Sequence, residues 1–106
     1  MIDNKDKQIV AKLKSQFKKE FDDFKGIYFY GSRVKGTYRK DSDIDIVVLF
    51  EKVDRDKRMK IWSIVGELEY QYDVFIDLHP MTKEELEQNP FYYDQVVNNG
   101  IFYEAA

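Results

Sequence analysis

From Asp6 to Phe24 the apolar residues Ile9, Val10, Leu13, Phe17, Phe21 and Phe24 recur at spacings of three and four, with lysines and acids between them. Residues so spaced share one face of a helix, and the stretch predicts an amphipathic helix that Gly26 ends. The pattern then changes. Ile27-Tyr28-Phe29-Tyr30 is a short β-prone run that stops at Gly31 and predicts a first strand. Residues 32–42 are polar, contain Gly36 and end at Ser42, which suits a loop or a short helix. Ile44 to Phe50 predicts a second strand, and its unbroken apolar tail predicts a mid-sheet place covered on both faces.

Helical spacing returns with Ile61, Trp62, Val65, Leu68 and Tyr72, which predicts a helix over about Asp54 to Tyr70 with Asp54 as its N-cap and Trp62 in the core. Val74 to Leu78 predicts a third strand, stopped by Pro80. Thr82 followed by Glu84 and Glu85 reads as the capped start of a short helix ending near Asn89-Pro90. Phe91 to Asn99 predicts a last short helix closed by Gly100, ahead of the terminal Ile101-Phe102-Tyr103-Glu104. Phe91, Tyr92 and Tyr93, with Phe102 and Tyr103, are expected to pack in the core and to contribute a partner surface, where such residues are enriched. The order of elements predicts an α/β (α+β) fold, a small mixed β-sheet with helices packed against it, in one domain over residues 1–106.

Composition narrows the chemistry. With no cysteine, disulfides and thiolate zinc sites are excluded, and the single His79 cannot build a multi-histidine metal site. Any metal must be held by oxygens. A net charge of −3 argues against a general nucleic-acid binder, whose affinity rests on basic residues at phosphates. The longest apolar run, Ile46 to Phe50, is far too short to span a membrane, and the polar start MIDNKDKQ lacks the apolar stretch of a signal peptide. A cytoplasmic protein is expected.

Against this background the aspartates of "GSRVKGTYRKDSDIDIVVLF", residues 31–50, stand out. Asp43 and Asp45 lie two apart at the start of the second strand, so they project from one face and repel each other unless a cation sits between them. Asp77 is an acid in an otherwise apolar strand. If the second and third strands are neighbours, about 4.8 Å apart, Asp77 joins Asp43 and Asp45 in a carboxylate cluster suited to one or two Mg²⁺ or Mn²⁺ ions. His79 shares a face with Asp77, although a lone histidine at a strand end is more often structural. Gly31 lets the backbone turn sharply, and the Ser32 hydroxyl and the following N–H groups can bind phosphate oxygens. Arg33, Lys35, Arg39 and Lys40 crowd eight residues that contain no acid. Singly they are ordinary solvated loop charges. A basic loop opposite an acidic cluster fits a polyanion that carries metal, a nucleoside triphosphate with Mg²⁺.

Gly31-Ser32, ten residues, Asp43-x-Asp45 and a later-strand Asp77 together resemble the signature of the DNA polymerase β-like nucleotidyltransferase superfamily. The short chain resembles its minimal nucleotidyltransferase branch, whose members serve as antitoxins beside HEPN-type toxins. The resemblance implies that Asp43, Asp45 and Asp77 are the metal-binding and catalytic residues, with two Mg²⁺ ions, and that Gly31 and Ser32 hold the triphosphate of ATP. Arg33 and Lys35 are expected to touch the triphosphate as well. It further implies transfer of a nucleoside monophosphate, AMP from ATP, to a hydroxyl. Because 106 residues leave little room for an acceptor-binding domain, the expected acceptor is another protein, and the resemblance implies a tyrosine of a small helical HEPN-type toxin. Two other readings stand beside it: a non-catalytic antitoxin that neutralises its partner by complex formation, and a stand-alone enzyme acting on a small molecule or nucleic-acid end. A homo-oligomer is left open, as are the base of the nucleotide and the choice between Mg²⁺ and Mn²⁺.

Overall fold

The computed structural model describes residues 2–36 and 42–105. Its elements follow in the order α1 (Asn4–Glu20), β1 (Phe24–Tyr30), α2 (Ser32–Lys35), β2 (Ile44–Phe50), α3 (Arg55–Tyr72), β3 (Ile76–Met81), α4 (Lys83–Glu87), α5 (Pro90–Tyr93), a π-helical turn (Asp94–Asn98) and β4 (Ile101–Glu104). The strands form one sheet in the order β3-β2-β1-β4. β1 pairs antiparallel with β2 and β4, while β2 and β3 run parallel and are joined through α3, so the sheet is mixed as expected.

Strand alternation divides the side chains between two faces. Ile27 and Phe29 of β1, Ile44, Ile46, Val48 and Phe50 of β2, and Ile76 and Leu78 of β3 meet the buried stripe of α1 (Ile9, Val10, Leu13, Phe17) and that of α3 (Ile61, Val65, Leu68). Removing one of these large side chains from water contributes about 1.5–3 kcal/mol, and this face holds most of the core. The opposite face gathers Tyr30, Val47 and Leu49 under Leu86 and Val96 from the C-terminal helical segments. That second cover is smaller. It leaves the β2 and β3 starts of the same face open.

Both long helices are capped by aspartates: Asp3 accepts from the Lys5 N–H at 3.1 Å, and Asp54, the N-cap expected from sequence, accepts from the Lys57 N–H at 2.8 Å. Thr82 and Glu85 form a reciprocal capping box at α4. Three expectations need correction, and the terminal segment, given no element from sequence, gains one. The first helix stops at Glu20 rather than near Phe24: Phe21 is extended, and Phe24 opens β1 with Gly26 inside the strand at a register shift. The rings of Phe17, Phe21 and Phe24 all reach Phe50, with centroids 5.3–6.3 Å apart, so helical spacing persists past the end of the helix because all three feed one aromatic cluster. Pro80 does not stop β3, which continues to Met81; β3 is an edge strand, where a residue without an N–H is tolerated. The terminal segment forms a strand, β4, at the other edge. Trp62 lies outside the core at 47% exposure, one position off the stripe that Ile61, Val65 and Leu68 define.

Candidate active site

The open part of the second sheet face carries a polar row. In register, Tyr30 of β1 faces Asp45 of β2, and Asp45 faces Asp77 of β3, so three neighbouring strands place these side chains side by side. The expectation that the second and third strands are neighbours holds, and it is their parallel register that brings Asp45 and Asp77 together. The two carboxyl groups adjoin in the parallel register, and Asp45 is pushed up to about 6. Burial is the main cause, followed by the charges of Asp77 and Asp43 and a hydrogen bond that protonated Asp45 can donate to Asp77, while His79 opposes the shift. His79 accompanies the pair directly, with Nε2 2.9 Å from Asp77 Oδ1.

Gly31 follows β1 immediately and adopts φ +88°, a conformation that favours glycine. A Cβ placed there would collide with the Asp45 carboxylate. Two physical demands thus coincide at one residue: the turn needs a positive φ, and the acid needs the space. Ser32 and Lys35 of α2 then join Tyr30, Gly31 and Asp45 around a cleft of about 410 Å³ whose far side is Tyr92 and Gln95.

Of the sequence-predicted residues, Gly31, Ser32, Lys35 and Asp45 line this cleft, and Asp77 adjoins it through Asp45. Asp43 is exposed just before β2 and acts on Asp45 through its charge. Among the described residues no group of three acidic or histidine side chains is arranged to hold a metal, so the expected three-carboxylate cluster reduces to an Asp45–Asp77 pair with Asp43 beside it. Arg33 differs from expectation. Its side chain is buried, with Nη1 3.2 Å from both carboxylate oxygens of the fully buried Asp6 and Nε donating to the Ser42 carbonyl at 2.9 Å. A guanidinium committed in this way is turned away from the cleft. Arg39 and Lys40 lie outside the described residues.

Sequence reasoning missed the other wall. Tyr30 and Tyr92 stack edge to face, with hydroxyls 2.9 Å apart, and burial raises both phenols above their usual range. Strand parity could have found Tyr30, which sits one residue before Gly31 on the Asp45 face. No local signal marks Tyr92 or Gln95, because only the packing of α5 and the π-helical turn on the sheet brings them there. Single π-helical turns of this kind are frequent at functional sites.

Residues 10–103 match the nucleotidyltransferase domain family, and the chain belongs to it. No curated protein matches the sequence. Similar solved structures include a toxin–antitoxin pair with AMP-PNP, at TM-score 0.63 and 27% identity over 97% of this chain and 73% of that one. A mutant MntA-HpeT toxin–antitoxin pair is similar at TM-score 0.61 and 27% identity over 92% and 70%. A tri-AMPylated Shewanella oneidensis HEPN toxin in complex with an MNT antitoxin has TM-score 0.57 at 20% identity over 95% and 71%, a likeness of fold. The expected fold and family are therefore confirmed.

Proposed function

We propose that this nucleotidyltransferase domain transfers AMP from ATP to a hydroxyl of a partner protein, a tyrosine of a HEPN-type toxin, and thereby acts as an antitoxin. The observation that carries the reading is the Asp45–Asp77 pair opposite the Gly31–Ser32 turn across one cleft. The similar toxin–antitoxin structure with AMP-PNP supports the nucleotide, and the AMPylated HEPN toxin bound to its MNT antitoxin supports the acceptor.

The donor set suits Mg²⁺. It is all oxygen, and Mg²⁺ is commonly held by one or two carboxylates with substrate phosphates and water completing its shell, so Asp45 and Asp77 suffice as protein ligands, with Asp43 next to them. Bound there, Mg²⁺ would neutralise the triphosphate and the leaving pyrophosphate. The chain's own groups do the rest. The Ser32 hydroxyl and the backbone beside Gly31 hold the β- and γ-phosphates, and Lys35 adds positive charge. The acceptor oxygen attacks the α-phosphorus, the bond to the bridging oxygen breaks, pyrophosphate leaves, and a carboxylate of the Asp45–Asp77 pair takes the hydroxyl proton. AMP on a tyrosine adds bulk and negative charge where the partner acts.

A second reading is neutralisation by complex formation alone, which the similar toxin–antitoxin pairs support. Intact-mass measurement separates the two. The protein is incubated with the product of the adjacent gene, Mg²⁺ and each nucleoside triphosphate, beside Asp45→Asn. An added AMP on the partner, absent with the variant, supports the transferase. A stable complex with no mass change contradicts it and favours binding alone.

A further inference from the structure

Arg33 sits next to Ser32, and Ser42 sits next to Asp43, so the two ends of the Arg33–Ser42 hydrogen bond belong to the two halves of the cleft. The phosphate-binding half is α2 with its preceding glycine, and the acidic half is the start of β2. Their separation decides whether a triphosphate held by one reaches the carboxylates of the other. The guanidinium joining them is itself anchored from a third element: both carboxylate oxygens of Asp6, in the first turn of α1, accept from its Nη1, and the ion pair is almost wholly removed from solvent. A buried pair with its polar atoms satisfied is costly to rearrange. It therefore holds one geometry.

We propose that Arg33 is a positioning residue, which, anchored by Asp6, sets the distance between the Gly31–Ser32 turn and the Asp43–Asp45 strand start, and so governs nucleotide affinity without touching the nucleotide. The proposal rests on the nucleotidyltransferase reading of the cleft. It replaces the direct triphosphate contact expected for Arg33 from sequence, since the side chain is buried with its Nη1 donating to Asp6 and its Nε to the Ser42 carbonyl. Arginine suits the task because its rigid fork donates in two directions at once, to a carboxylate and to a carbonyl. The ammonium of a lysine, confined to one point, can serve Asp6 but not Ser42 as well.

The test compares wild type with Arg33→Lys and with the double variant Asp6→Leu/Arg33→Met. The double variant replaces the ion pair by apolar side chains, an exchange that buried pairs often tolerate without loss of stability. ATP binding with Mg²⁺ is followed by calorimetry, and amide hydrogen exchange is followed without nucleotide. The expected result is a dissociation constant raised on the order of tenfold or more in both variants, since small misplacements of binding groups have effects of that size, with stoichiometry unchanged. Exchange should quicken together at residues 31–36 and 42–44 and stay as in wild type at Ile27 to Phe29. A residue that matters only for folding would lower the stoichiometry and leave the affinity of the remaining molecules alone, and that result overturns the proposal. So does wild-type affinity in a folded Arg33→Lys. If wild type itself binds no ATP, the nucleotidyltransferase reading fails, and the exchange data still decide on the tie: coupled quickening of both segments supports it, and a change in one segment alone refutes it.

Discussion

Asp45 and Asp77 stand directly opposite each other in the parallel register of β2 and β3, although both are acids. The burial of Asp45 beside a second acid gives a stability prediction. Because Asp45 is pushed up to about 6 from 3.8, the folded state binds the Asp45 proton more tightly than the unfolded chain does. The resulting stabilisation is complete below pH 3.8 and is lost as the pH rises through 6. Asp45→Asn has no such loss. Denaturant titrations at several pH values should show the variant gaining on wild type between about pH 4 and pH 7 by about 1 kcal/mol, after discounting for the solvent exposure of the group. Added Mg²⁺ should raise the wild-type melting temperature more at pH 7 than at pH 5, because the cation competes with that proton.

Gly31→Ala tests the turn. The new methyl group meets both a positive φ and the Asp45 carboxylate. A loss of about 1–3 kcal/mol is expected by chemical denaturation, together with loss of ATP binding in the molecules that remain folded. Wild-type affinity in this variant would contradict the close approach.

Tyr92→Phe removes one hydroxyl and leaves that of Tyr30, which is largely buried, without its 2.9 Å partner. The expected cost is about 1–2 kcal/mol in denaturant unfolding. Tyr30→Phe together with Tyr92→Phe removes both polar groups and should recover part of that loss, which a double-mutant cycle measures directly.

Ile61→Ala and Trp62→Ala should differ sharply despite adjacent positions in α3. Ile61 is fully buried and its truncation should cost about 2–5 kcal/mol. Trp62 is 47% exposed, and its loss should cost about 1 kcal/mol or less. Equal losses would place Trp62 back in the core.

The contrast between those two residues shows what can be read from the chain. Spacing found α3 and its stripe, but hydrophobicity alone could not say that Trp62 falls one step beyond it. The apolar run of β2 and the lone acid of β3 were legible because both are local, and the pairing of Asp45 with Asp77 followed once the strands were taken as neighbours. The end of α1 was not, since Phe17, Phe21 and Phe24 keep helical spacing while serving one aromatic cluster from a helix, its extended C-cap and a strand. β4 carries no alternation of burial, because it is an edge strand with three of its four residues exposed. Arg33 looked like a free basic residue beside a phosphate turn. Its true partner, Asp6, lies 27 positions away, and only the fold brings them together.

Calorimetric titration of ATP into wild type, Asp45→Asn and Asp77→Asn, with and without Mg²⁺, tests the central claim most directly. The carboxylate pair across the cleft from Gly31 and Ser32 predicts Mg²⁺-dependent binding in wild type, and loss of that dependence in either variant without loss of fold. Equal, Mg²⁺-independent affinity in all three would contradict the assignment of Asp45 and Asp77 as the metal and nucleotide site.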